Sequence, residues 1–188
     1  MVIFDLFSVG KRYFNNDDFV PKFQAKAFFD PSPANQAILA DTDPDFRVLN
    51  TTTSFWSDAT DSYFHKSIGG YHGAKLKIIQ ELYEYQMIKC INLNIPIFNM
   101  LNTKYFIVND AKGMPIAQQN PEANGNAWFA DTVKVVNTAD EELAALSKIN
   151  LKTTAVVQKS YLDKETIVAH DVNDSIKLKS YKPNELIY

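Results

Sequence analysis

Three regularly spaced carboxylates form a pattern in this sequence that could bind a metal ion. Asp41, Asp43 and Asp45 alternate with other residues, a spacing shared by calcium loops and by the metal-binding motif of some sugar-nucleotide transferases. Phe46 stands where a calcium loop needs glycine, and Thr52 stands where it needs glutamate. We therefore interpret this stretch as a solvated turn behind a helix.

Histidine and cysteine give no metal-binding pattern either. His65 and His72 lack the i, i+4 spacing that places two ligands on one helix face, and His170 is remote in sequence. Cys90 is the only cysteine, so no intrachain disulfide is possible, and its apolar neighbours indicate an inert buried thiol. We predict no metal and no cofactor.

The segment GGYHG, residues 69–73, is the best local candidate for a binding feature. Its glycines let backbone approach a ligand closely, while Tyr71 and His72 can stack and donate hydrogen bonds. The alternative is a tight entry from a loop into a helix, with Tyr71 in the core. The sequence contains no G-x-x-x-x-G-K-[ST], G-x-G-x-x-G or G-x-S-x-G motif that would indicate a nucleotide site or a hydrolase.

Short helices and strands must position these residues. Ser32-Pro33 predicts a helix start, a periodic apolar pattern predicts a helix over 74–91, and Thr138 with Glu141 forms a capping-box pattern. Strands are predicted at residues 46–50, 104–108, 114–120, 127–137, 153–162 and 176–181. The mixture predicts the α+β class, as one domain (1–188) with a mixed sheet and a few packed helices.

Composition excludes one class of partner. The chain has 188 residues and a net charge of -3, so it lacks the basic field that nucleic acid binding requires. Its aromatic residues, 13 Phe, 9 Tyr and 2 Trp, exceed what a core of this size needs. Surplus Tyr and Trp suit surfaces that meet sugars or proteins.

The first residues, MVIFDLFSVGKRY, switch abruptly from apolar to basic. The apolar run is too short to span a bilayer, and it lacks the basic start and cleavage site of a secretory signal. One interpretation is a first helical turn that faces the core. The other is the tail of a transmembrane helix, in residues 1–10, that precedes this domain.

Several motifs, in order, resemble the extracytoplasmic C-terminal region of YfhO-like bacterial membrane proteins, which are polytopic and akin to GT-C glycosyltransferases. The motifs are DLFSVGKRYFNNDDFVPK, DPDFRVLN, SIGGYHGAKL, MLNTKYFIV, GNAWFADTVKVVNTADEELAAL and LKSYKPNELIY. The resemblance covers essentially the whole chain. It favours the second interpretation of the N-terminus.

The resemblance implies a domain on the extracytoplasmic (periplasmic) face of the bacterial cytoplasmic membrane, attached to transmembrane helices of its parent. The parent is expected to glycosylate cell-envelope polymers from a lipid-phosphate-linked sugar. The catalytic carboxylate of such enzymes lies on an early loop outside this sequence, so the domain is expected to be non-catalytic. The family continues past the position of Tyr188, so the resemblance also implies a C-terminally truncated chain that dimerises through its last strands.

Four residues are expected to contact an envelope glycan: Trp56, Tyr71, His72 and Trp128. Their aromatic faces can cover the apolar side of a sugar ring while nearby Asn and Asp bind its hydroxyls. One alternative is a scaffold or protein-interaction domain without glycan contact. Another is a free-standing soluble protein of unknown function.

Overall fold

The computed structural model describes residues 2–27, 29–89, 92–162, 171 and 173–188. The predictions for Cys90 and His170 lie outside these residues. The helices are α1 (Val2–Tyr13), α2 (Lys22–Ala27), α3 (Pro33–Leu39), α4 (Lys77–Leu82), α5 (Ile95–Met100) and α6 (Ala139–Ala145). The strands are β1 (Arg47–Asn50), β2 (Ile88–Lys89), β3 (Asn92–Leu93), β4 (Thr103–Asn109), β5 (Pro115–Gln119), β6 (Thr132–Val136), β7 (Thr154–Gln158), β8 (Ser180–Lys182) and β9 (Glu185–Ile187).

A three-stranded mixed sheet, in the order β1-β4-β5, forms the centre of the fold and confirms the predicted α+β class. β1 runs parallel to β4, and β5 runs antiparallel to it. Neighbouring residues of each strand face opposite sides, so Val48 and Ile107 pack against Ile38 of α3. Leu49 and Phe106 face the other side and belong to the larger core cluster.

The larger core is built where α4 and α5 cover the sheet. Phe98 of α5 is 1% exposed and meets Phe106 edge to face, with ring centroids 6.0 Å apart. Met87, Ile97 and Leu151 complete the buried contacts. Leu151 enters from the segment after α6, so this core also anchors the next part of the chain.

β6, α6 and β7 form a β-α-β unit, because the two strands are parallel and the helix crosses between them. Ser32 caps α3 as predicted, and Thr138 caps α6 by accepting a hydrogen bond from the backbone N–H of Glu141 (3.2 Å). In a capping box the Glu141 carboxylate would accept a hydrogen bond from the backbone N–H of Thr138. Here it accepts one from the backbone N–H of Asn137 instead (2.8 Å).

The single helix predicted over 74–91 is wrong at both ends, because α4 begins at Lys77 and ends at Leu82. A π-helical turn, Tyr83–Met87, follows α4, and the chain then enters the antiparallel pair of β2 and β3. The wider turn aims the buried Gln86 at the β-α-β unit. Its amide nitrogen donates to the Leu143 carbonyl (2.8 Å), and its amide oxygen accepts from the Ser147 hydroxyl (2.5 Å). Tertiary hydrogen bonds have therefore overridden the apolar periodicity.

α1 has no buried residue, so the interpretation of a core-facing first turn is wrong. Its large apolar side chains are 44–85% exposed; they are Val2, Ile3, Phe4, Leu6, Phe7 and Val9. Lys11 and Arg12 occupy its last turn. Among the helices of the described residues, none has both the length and the apolar content needed to cross a bilayer.

Candidate functional site

Trp128 lies in the loop between β5 and β6 and lines two cavities of different character. One has a volume of about 320 Å³ and is walled largely by polar and aromatic side chains; we call it the polar cavity. The other has a volume of about 670 Å³ and is walled mostly by carbon; we call it the apolar cavity. Met100 lines both as well, so the two cavities are neighbours.

A fixed amide pair forms one wall of the polar cavity. Asn102 is 5% exposed and adopts a left-handed backbone conformation with φ 58°. Its side-chain nitrogen donates to the Asp45 carbonyl (2.9 Å) and to the side-chain oxygen of Asn126 (2.8 Å). The Asn126 nitrogen donates to the same Asp45 carbonyl (2.5 Å). These bonds hold both amides in one orientation.

Two cations also line the polar cavity. Arg47 donates to the Leu101 carbonyl (2.7 Å), while Lys66 forms an ion pair with Asp45 and lies 4.0 Å from the centre of the Tyr181 ring. Partial burial alone would lower the pKa of Lys66. Hydrogen bonds to Asp45 and Tyr181 outweigh burial and raise the pKa above its ordinary value.

The C-terminal hairpin of β8 and β9 contributes several residues to the lining of the polar cavity. The strand predicted over 176–181 begins only at Ser180, although Lys179 already donates to the Ile187 carbonyl (2.7 Å). Tyr181 and Tyr188 then join Trp128 around the cavity. Aromatic faces beside oriented amides and a guanidinium suit a polyhydroxylated ligand, because sugar rings have apolar faces and hydroxyl edges.

The apolar cavity lies between α4, α6 and β7. Its aliphatic wall includes Ile78, Leu82, Leu143, Leu146, Leu151 and Val156. Four polar side chains join them, namely Glu81, Glu142, Thr154 and Gln158. The Glu81 carboxylate lies 3.2 Å from the Lys77 ammonium, whereas Glu142 accepts a hydrogen bond from the Gln158 amide (2.5 Å).

Trp56, the first predicted glycan contact, belongs to an aromatic cluster outside both of these cavities. Its ring centroid lies 4.5 Å from that of Phe55 and 4.9 Å from that of Tyr83, both edge to face. The Lys75 ammonium lies 4.1 Å from the ring centre. A sugar that stacked on the Lys75 side would have to displace this cation–π contact.

The Gly69-Gly70 pair serves the fold directly. The Gly70 N–H donates to the Phe55 carbonyl (2.8 Å), and a Cβ on Gly69 would stand 2.7 Å from that oxygen. The close approach that glycine permits here is therefore to the protein's own backbone. Tyr71 is 74% exposed, so its alternative placement in the core is wrong. His72 is exposed, and its Nδ1 accepts from the Ala74 N–H (3.0 Å).

The structure therefore does not gather the four predicted contacts into one site. Trp128 lines the two neighbouring cavities, and the lining of these cavities includes none of Trp56, Tyr71 and His72. Tyr71 and His72 remain surface residues that a large ligand could reach. Their role in glycan contact stays a prediction.

Ion pairs hold the turn that carries Asp41, Asp43 and Asp45, which we call the aspartate turn. Lys104 lies 2.7 Å from the Asp41 carboxylate and 2.9 Å from that of Asp43. The Lys104 hydrogen bond is the largest cause that lowers the pKa of Asp41 to about 2. Within the described ranges, no group of three histidine, cysteine, aspartate or glutamate side chains could hold a metal ion.

His65 packs beneath this region and is half buried. Its Nε2 lies 3.0 Å from the Asn35 side-chain oxygen. Burial lowers the pKa of His65, although the charge of the nearby Asp61 acts in the opposite direction. The neutral ring therefore makes a structural hydrogen bond.

Sequence reasoning found Trp128 but missed the residues around it. Asn102, Asn126, Tyr181 and Tyr188 come from separate parts of the chain, and no local spacing links them. No family model matches this chain, and neither a curated protein nor a solved structure does so. The geometry of the cavities is therefore the main guide to function.

Proposed function

We propose that this chain is a non-catalytic domain on the extracytoplasmic face of a bacterial membrane protein similar to the YfhO-like glycosyltransferase relatives, and that it contacts a cell-envelope glycan. The polar cavity beside Trp128 is the contact site. The observation that carries the proposal is the meeting of three aromatic rings with oriented amides and a guanidinium in about 320 Å³. That volume suits one or two sugar rings.

The polar cavity provides each kind of contact that a sugar needs. Trp128, Tyr181 and Tyr188 offer aromatic surface. Arg47 and Asn126 carry hydrogen-bond groups whose orientation is fixed by bonds to backbone carbonyls. Such preorganisation lowers the entropic cost of binding.

The exposed α1 supports attachment to a membrane. Apolar side chains including Phe4 and Phe7 are 79% and 68% exposed in the described part of the chain. Lys11, Arg12 and Tyr13 follow them, which is the arrangement expected at a membrane interface. The proposed partners of this segment are the transmembrane helices of the parent protein and the lipid around them.

Sugar titration tests the glycan contact. We expect NMR shifts at residues of the polar cavity when the protein is titrated with disaccharides of glucose, galactose and N-acetylglucosamine. Trp128→Leu should abolish these shifts because it removes the shared aromatic wall. Trp56→Leu is the matched control, since Trp56 lies outside the cavity, and it should retain them.

Two outcomes would contradict glycan contact at the polar cavity. Absence of binding by every sugar to the folded wild-type protein would favour the scaffold role. Binding lost in Trp56→Leu, Tyr71→Ala or His72→Ala but kept in Trp128→Leu would move the contact to the surface around residues 55–72. A Trp128 variant that has lost its fold, judged by its NMR spectrum, is replaced by Tyr188→Leu at the exposed rim.

Vesicle flotation tests the membrane attachment. The wild-type protein should float with vesicles of phosphatidylglycerol and phosphatidylethanolamine, and Phe4→Ser with Phe7→Ser should reduce the bound fraction about tenfold or more, because two exposed aromatic anchors are lost. Tyr85→Ser with Tyr161→Ser removes two exposed rings elsewhere and is the matched control. Equal flotation of both double variants would contradict a role for α1.

The C-terminal hairpin supports a proposed homodimer. Among the described strands, β8 and β9 pair only with each other, so each leaves one edge open. Sedimentation at increasing protein concentration should reveal a dimer. A monomer at every concentration would contradict it.

A further inference from the structure

We propose that the apolar cavity is a binding site for a small organic cation with an apolar body, such as an alkyl or aryl primary amine, whose ammonium group pairs with Glu142. This site is separate from the proposed glycan contact. The volume, lining and charge of the cavity define this ligand.

The volume and lining of the cavity select an apolar body. About 670 Å³ lies within the range of small-molecule sites, and aliphatic side chains of α4, α6 and β7 form most of its wall. Trp128 adds one aromatic face. Removing an alkyl or aryl group from water into this cavity is favourable in proportion to the area buried.

The charge of the lining selects the head group. Glu81 and Glu142 line the cavity, and among the described residues of its lining there is no lysine, arginine or histidine. Lys77 already neutralises Glu81 at 3.2 Å. Across the described part of the chain, no basic side chain forms an ion pair with Glu142, whose charge meets only the Gln158 amide.

A half-buried carboxylate at an apolar cavity discriminates among ligands of equal shape. An ammonium group compensates the Glu142 charge and donates hydrogen bonds to it. A hydroxyl group donates one hydrogen bond without compensating the charge. A second carboxylate is repelled, because like charges at close range disfavour each other.

Three probes of equal chain length test the proposal: octylamine, octanol and octanoate, at neutral pH and below their aggregation concentrations. NMR titration should show shifts at Leu143 and Val156 with octylamine, about tenfold weaker binding of octanol, and no binding of octanoate. Because the selectivity is measured on the wild-type protein, this test does not depend on any variant folding.

Two variants test whether the carboxylate of Glu142 is the group that selects the amine. Glu142→Gln preserves the shape of the side chain and should reduce the preference for octylamine over octanol to about onefold. Asp140→Asn changes the net charge equally in the same turn of α6, outside the cavity lining, and should keep the preference. Equal affinity for all three probes, or failure of all three to bind, would overturn the proposal. Failure of sugars to bind the polar cavity would leave it standing.

Discussion

The two cavities that meet at Trp128 are held together by different forces. The apolar cavity stands on tightly packed core residues such as Leu82 and Leu151, and one buried amide, Gln86, fastens α6 beside them. The polar cavity is held by hydrogen bonds to carbonyls, an ion pair and a cation–π contact between Lys66 and the C-terminal hairpin.

This difference predicts different responses to solvent. Apolar packing is nearly independent of ionic strength, so the apolar cavity should keep its shape from low to high salt. The cation–π contact that joins Lys66 to Tyr181 is electrostatic, so the attachment of the hairpin beside the polar cavity should weaken as salt rises. Trp128, which lines both cavities, is therefore expected to border one cavity that is insensitive to salt and one that responds to it.

The largest expected effect comes from Gln86. Gln86→Ala removes a buried amide and leaves the half-buried Leu143 carbonyl and the Ser147 hydroxyl without that partner, and should lower the free energy of unfolding by roughly 1–3 kcal/mol. Urea unfolding measures this change. Gln80→Ala is the control, because the Gln80 bond to Glu84 is exposed, and it should cost less than about 0.5 kcal/mol. Equal costs would show that Gln86 does not fasten α6.

A smaller effect is expected from Tyr181. Tyr181→Leu removes the ring over which Lys66 lies and should cost less than about 1 kcal/mol. Hydrogen exchange should accelerate at residues 180–187 while β4 and β5 stay protected. Tyr161→Leu, at a ring that is 77% exposed, should leave the exchange of the hairpin unchanged. Unaltered exchange in Tyr181→Leu would mean that the hairpin is held by other contacts.

A comparable effect is a response to acid at the turn that carries Asp41. Asp41 has its pKa lowered from 3.8 to about 2, so its contribution to stability is complete above pH 3.8 and is lost as the pH falls toward 2. Solvent screening limits this contribution to about 1 kcal/mol. Urea unfolding at falling pH should show the loss in the wild-type protein and a smaller one in Asp41→Asn.

Asp5→Asn is the control for the acid response, since Asp5 lies on the exposed α1 and makes no contact with the aspartate turn. It should follow the wild-type profile. If Asp41→Asn and the wild type lose stability in parallel, the ion pair with Lys104 does not contribute.

Local sequence signals predicted much of the fold and little of the candidate site. Alternation and capping residues located β4, β5, α3 and the start of α6, because these features depend on neighbours in the chain. The π turn at Tyr83–Met87 was missed because Gln86 obtains its partners from α6, far along the sequence. The apolar positions Tyr83 and Met87 still contact the core, but the α-helix predicted to carry them ends at Leu82.

The polar cavity was missed for a related reason. Asn102 has a left-handed backbone, which asparagine tolerates better than most residues, but an asparagine before a strand is too common to mark a site. Tyr181 and Tyr188 reach the cavity only because the hairpin folds back toward Lys66. Local patterns in a single sequence do not indicate that the hairpin lies near Lys66.

The shared wall has a consequence for how the two cavities behave together. Trp128 and Met100 line both, so a ligand that changes either side chain's rotamer in one cavity reshapes the other. The two binding equilibria are then thermodynamically linked, and the coupling free energy is the same in both directions. If a bound sugar lowers the affinity of the apolar cavity for an amine, the bound amine must lower the affinity of the polar cavity for the sugar by the same factor.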